Sequence, residues 1–110
     1  RFNLHLLPNR PAVQIHCELY DVAPDDEEND HGRLISRGHQ GTHVAAAGTH
    51  TQFEFDGAAI YYRLAVGHRL RLVVSNYNTT FAYPFFHNSC ARLFHEADRS
   101  SSVQIPVREV

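Results

Sequence analysis

Apolar and polar residues alternate along most of this chain. Phe2, Leu4 and Leu6 stand against Asn3 and His5, which predicts a strand ending before Pro8, with a turn at Asn9 to Pro11. Val13, Ile15, Cys17 and Leu19 alternate with Gln14, His16 and Glu18, the period of a half-buried strand. The phase shifts at Tyr20 and Val22, where the strand is expected to bulge or end. Ala23 to Gly32 reads as a hairpin tip, and Arg33 to His39 as a short strand pairing back. Gly38 to Gly48 is loop-like. Thr51, Phe53 and Phe55 alternate with Gln52 and Glu54, and Asp56-Gly57 marks a turn. Ile60 to Leu64 is aromatic and β-prone, and Val66-Gly67 is a tight turn. Leu70, Leu72 and Val74 then face one way, with Arg69, Arg71 and Ser75 opposite. Residues 76–90 read as a long aromatic loop, 91–98 as one helical turn or more loop, and Val103, Ile105 and Val107 as a last strand. Six or seven short strands without a three-turn amphipathic helix predict an all-β sandwich spanning 1–110 as one domain.

Composition narrows the function classes. A chain of 110 residues buries roughly 65% of its unfolded surface, enough for one core. Its net charge of −2 lacks the clustered basic residues a nucleic-acid partner demands. No apolar run approaches the ~20 residues of a membrane span, and no signal-peptide pattern is visible. All 10 basic residues are Arg, so Lys-based nucleophiles and Schiff bases are excluded.

Candidate chemistry is sparse. No Gly-x-Ser-x-Gly elbow, phosphate loop or dinucleotide fingerprint occurs, and Ser100 to Ser102 read as loop polarity. The run Asp25, Asp26, Glu27, Glu28 and Asp30 lacks the spacing and central Gly of a calcium loop, and reads as a solvated tip. His39, His43 and His50 cluster in sequence, with His31, His87 and His95 elsewhere. Three imidazoles are a common zinc or copper set, but here surface and loop histidines are expected, with no catalytic, cofactor or metal site. His68 shares parity with Leu70 and Leu72, so its ring is expected inward as a neutral hydrogen-bonding residue. Cys17 reads as a small buried hydrophobe; a bridge to Cys90 requires their strands to meet. Asn78-Thr79-Thr80 matches a glycosylation acceptor, a motif common by chance.

Three segments together carry a resemblance. Val66-Gly67-His68-Arg69-Leu70-Arg71-Leu72 is similar to the GHRLRL segment of the C-terminal domain of the X-Pro dipeptidyl-peptidase and cocaine-esterase group of serine hydrolases. Glu18-Leu19-Tyr20-Asp21-Val22-Ala23-Pro24-Asp25 with Leu34-Ile35-Ser36-Arg37-Gly38 resembles that domain's L-x-D-V-x-P-D-G hairpin. Ser101-Ser102-Val103-Gln104-Ile105-Pro106-Val107 resembles its closing strand. The resemblance covers roughly residues 13–107 and implies a jelly-roll sandwich of galactose-binding-like type. It also implies a partner, the α/β-hydrolase catalytic domain of the same polypeptide, which carries the Ser-Asp-His triad. No triad position falls in this stretch. The aromatic loop 77–86 would then belong to an interdomain face. Two departures stand out. Asp56-Gly57-Ala58-Ala59-Ile60 replaces the family's usual Trp-Pro pair, and a jelly roll wants about eight strands. With six or seven strands counted, the stretch reads as a fragment, leaving an edge able to pair with a second copy as a homodimer.

The expected function is therefore a non-catalytic accessory domain, the C-terminal part of a larger hydrolase acting on peptides or esters. The alternative is a stand-alone carbohydrate- or ligand-binding module, with Tyr61, Tyr62, Tyr77 and Tyr83 as stacking faces. A His-based metal protein is the third reading.

Overall fold

The computed structural model describes residues 1–9, 12–25, 32–43, 48–75 and 91–108. Among them are seven strands and no helix. They are β1 (Phe2–Pro8), β2 (Ala12–Val22), β3 (Arg33–His43), β4 (Thr51–Phe55), β5 (Arg69–Ser75), β6 (Ala91–Phe94) and β7 (Ser102–Val103). One sheet, A, runs β4-β1-β6 with β7 also on β1; the other, B, runs β3-β2-β5. Every pairing is antiparallel, so the expected all-β sandwich is what forms.

The alternation read from the chain builds the core. Phe2, Leu4 and Leu6 of β1 meet Phe53 and Phe55 of β4, and Ile15 and Cys17 of β2, in one buried cluster. Val74 and Val103 pack against it. Burying a side chain of this size is worth about 1.5–3 kcal/mol, so these few residues supply most of the drive to close the two sheets. Gly38 makes one close approach possible. A Cβ there would stand 3.0 Å from Phe2 Cε2 and 3.1 Å from Phe55 Cε2, so its absence lets that aromatic pair settle onto β3. The two rings lie 5.2 Å apart.

Several boundaries differ from the sequence expectation. β1 runs through Pro8, because a proline at a strand end need donate no ladder bond. Its carbonyl accepts Gly48 N–H at 2.8 Å. β3 continues to His43, since Gly38 and Gly41 pair with Cys17 and Gln14 of β2. Residues 91–98 are β6 followed by a tight turn, in which Glu96 and Arg99 exchange backbone bonds of 3.3 and 3.2 Å. The last strand shortens to Ser102–Val103. Residues 60–64 form no strand, and Ile60, Tyr61 and Leu64 are exposed. The anticipated phase shift is real: Leu19 lies opposite Ser36 but Tyr20 opposite Leu34, so Ile35 is the extra residue of a bulge.

A candidate functional site at the open end of the sandwich

The inward row of β2 and β5 defines the site. Cys17 lies opposite Val74, Leu19 opposite Leu72, and Asp21 opposite Leu70. Val74 packs in the core, but Leu72 and Leu70 are 37% and 39% exposed. The row therefore runs out from under sheet A, and Asp21 sits where the cover ends. A carboxylate only 9% exposed needs polar partners to offset lost hydration.

Residues 56–68 bring those partners. Ala58 N–H donates to Arg37 carbonyl at 2.8 Å, and Ser36 Oγ donates to Ala58 carbonyl at 2.8 Å, tying the segment to β3. Gly67 adopts φ +83°, the left-handed conformation glycine reaches without Cβ strain, and His68 N–H closes the turn onto Ala65 carbonyl at 3.1 Å. His68 thereby lies two residues before Leu70, on the same face as Asp21. Its Nδ1 stands 2.7 Å from Asp21 Oδ1, and Tyr62 hydroxyl donates to Asp21 Oδ2 at 2.5 Å. The Arg33 guanidinium lies over the Tyr62 ring, 5.6 Å from its centroid. Around this clasp opens a cleft of about 500 Å³, whose rim includes Arg33 and Arg63.

The bonds set the charges. The Tyr62 hydroxyl, and next the His68 ring, hold Asp21 below the usual carboxylate value. The same bond to Asp21 pushes Tyr62 up, so the phenol keeps its proton at neutral pH. Both carboxylate oxygens are thus occupied by groups of the chain itself. Ser36 is bonded to Ala58 carbonyl, and burial pushes the Cys17 thiol up to about 12. Chemically, the arrangement is a clasp joining the end of β2, the 56–68 segment and the start of β5.

The sequence candidates are dispersed. His39 stacks on His16 across β2 and β3, ring centroids 4.6 Å apart. His50 meets His5, a histidine not among the candidates. His95 is exposed beside its bridge partner Ser100. His68 is inward-facing and hydrogen-bonded, as expected, though its side chain stays 27% exposed. Tyr61 is 87% exposed, whereas Tyr62 belongs to the clasp. Ser101 Oγ donates to Phe94 carbonyl at 2.6 Å and accepts His5 N–H at 3.0 Å. Cys17 is a buried free thiol. His31, His87, Cys90, Asn78-Thr79-Thr80, Tyr77, Tyr83, the 77–86 loop, most of the acidic run and the His43 side chain lie outside the described residues. Among the described residues no three His, Cys, Asp or Glu side chains converge on a metal position, and no helix is long and apolar enough to cross a membrane. The Asp21 and His68 pairing was findable, since both belong to the resembling segments. Tyr62 was marked only as a stacking face, and nothing in the pattern paired it with Asp21.

Fold and clasp define the class: a β-sandwich whose polar cluster binds its own strands and loop together. The family model of the X-Pro dipeptidyl-peptidase C-terminal non-catalytic domain matches residues 1–101. The chain belongs to that family, and it is an accessory domain of that kind. No curated protein and no solved structure matched.

Proposed function

We propose that this chain is the C-terminal part of a larger serine hydrolase, a peptidase or esterase, packing against its α/β-hydrolase domain and helping to wall the substrate cleft. The jelly-roll, galactose-binding-like topology belongs to this reading. The observation that carries it is the uncovered inner row of β5. Leu70 and Leu72, paired with Asp21 and Leu19, continue a core row into solvent. The anchored segment beside them exposes Ile60, Tyr61, Leu64 and Val66. Such apolar surface on a well-formed sandwich favours a protein partner over solvent.

The test is made in the intact parent polypeptide. Leu70→Glu with Leu72→Glu should loosen the domain from the catalytic core, seen as faster limited proteolysis between them. It should also lower turnover of a chromogenic X-Pro amide. Unchanged proteolysis and turnover would place the interface elsewhere, and gel filtration of the isolated domain would reveal a homodimer. Tyr61, exposed and free to stack on a sugar ring, favours the second reading, a carbohydrate-binding module. Glycan-array binding abolished by Tyr61→Ala would promote it.

A further inference from the structure

The outer face of sheet A carries a polar pair remote from the clasp. His5 of β1 lies opposite Gln52 of β4, and His50 stands two residues before Gln52. The pair is a diagonal cross-strand contact. The rings are parallel within 1°, their centroids 5.2 Å apart. His5 Nδ1 and His50 Nε2 are separated by 3.1 Å. His50 is half held in place by Phe94, edge-on at 6.0 Å, and Phe94 is capped by the Arg99 guanidinium at 4.0 Å. The backbone on either side is anchored. Gly48 N–H donates to Pro8 carbonyl at 2.8 Å, and Thr51 Oγ1 donates to Thr49 carbonyl at 3.1 Å.

The separation is that of a ring-to-ring hydrogen bond, and it also suits two nitrogens sharing one ion. Two imidazole nitrogens bound to one ion at ~2.0–2.1 Å stand roughly 2.9–3.3 Å apart, for bond angles from square to tetrahedral. The 3.1 Å separation falls inside that interval. In the free protein one ring must donate a proton and the other accept it. A metal ion takes that proton's place once each ring, which reaches solvent, swings by roughly 40° to turn its nitrogen off the line joining the two. The displaced proton moves through water to the other nitrogen of its own ring, and both imidazoles stay neutral.

We propose that His5 and His50 form a two-imidazole site for a divalent ion of the copper, nickel and zinc group, with water completing the coordination. Imidazole suits these ions, whereas magnesium and calcium take oxygen donors. With two protein ligands the site is open and exchangeable, with copper(II) bound tightest. Its consequence is mechanical: it staples the approach to β4 onto β1, and stabilises the fold by an amount that grows with the logarithm of free metal above its dissociation constant.

The test is calorimetric titration of the chain with NiCl₂ and ZnCl₂, with thermal unfolding at each metal concentration. One equivalent should bind, and the unfolding midpoint should rise with metal. Either His5→Ala or His50→Ala should weaken binding by more than about tenfold and abolish the rise, while His95→Ala should change neither. Copper(II) resonance spectra should show two coordinated nitrogens in the parent chain and one in each variant. His50 lies outside the strands, so His50→Ala keeps the test decisive if His5→Ala misfolds. No uptake, or equal affinity in His50→Ala and the parent, overturns the site.

Discussion

Gly32→Ala gives the sharpest test of how the clasp is built, because Gly67→Ala serves as its internal standard. Both glycines are left-handed, at φ +74° and +83°. An alanine at either costs about 1–2 kcal/mol of backbone strain. Both substitutions also lower unfolded-chain entropy alike, so that contribution cancels. The surroundings differ. A Cβ on Gly67 meets only Pro24 Cγ at 3.9 Å. A Cβ on Gly32 falls 2.2 Å from Asp21 carbonyl oxygen and 3.2 Å from Val22 Cα. Neither backbone atom can rotate away, so the end of β2 must move by on the order of 1 Å, an overpacking cost of about 1–3 kcal/mol. Gly32→Ala should therefore cost about 2 kcal/mol more than Gly67→Ala. In urea unfolding that difference lowers the midpoint by roughly 1–2 M, taking a slope of about 1–2 kcal/mol/M. Nuclear magnetic resonance titration supplies a second readout. Moving Asp21 loosens its bonds to Tyr62 and His68, so its carboxyl should titrate closer to the ordinary value. Equal midpoints for the two variants would refute the close packing of Gly32 against the backbone of Asp21 and Val22.

Other outcomes follow from the same geometry. Leu4→Ala, at the centre of the core cluster and 1% exposed, should cost about 2–5 kcal/mol, whereas Leu34→Ala, 40% exposed, should cost under about 1; unfolding curves decide. Tyr62→Phe removes the donor on Asp21 Oδ2 and should raise the Asp21 pKa and lower the melting temperature. A depressed carboxylate stabilises the fold above the ordinary value of 3.8, and that contribution is lost as pH falls below it. The acid limb of the stability curve should therefore flatten in Tyr62→Phe. His16 is held below the ordinary 6.5, first by burial and then by the neighbouring His39, with Glu18 opposing. Its neutral form is favoured in the fold, so stability present above about pH 6.5 should decline as pH drops further, before the Asp21 window is reached. A melting temperature independent of pH between 7 and 5 would contradict that assignment.

Much of the sandwich was legible, because period-two alternation survives wherever one face is buried. β1, β2, β4 and β5 all show it. What misled were positions where tertiary context overrides local preference. Gly38 and Gly41 look like loop residues, yet β3 carries them because β2 supplies the ladder and Phe2 needs the space over Gly38. Ile60 to Leu64 look like a strand but lack a partner, and Tyr62 is committed to Asp21 instead. The clasp was half legible. His68 showed its inward parity in the pattern, but its carboxylate lies 47 residues away along the chain. The histidine pairs were invisible, since each brings together residues of separate segments whose register no local pattern reveals.

The two sheets also differ in when they can be assembled. In sheet B, β2 turns back directly on β3, so Asp21 meets Arg33 as soon as a short stretch of chain exists. β1 has no such neighbour. Phe2 waits for Phe55 and then for Val103, and His5 for Phe94. At ribosomal rates of about 5–20 residues per second, β1 is made roughly 5–20 seconds before its last partner emerges. Until Phe55 emerges, Phe2, Leu4 and Leu6 form a sticky strand with both edges open, and one edge stays open until β6 and β7 are made. The longest exposure of this central strand thus falls during synthesis, before β6 and β7 are made. Protease protection of β1 in stalled nascent chains should appear in two steps, first when β4 and then when the segment through Val103 has cleared the exit tunnel; protection before β4 emerges would show that β1 finds another partner first.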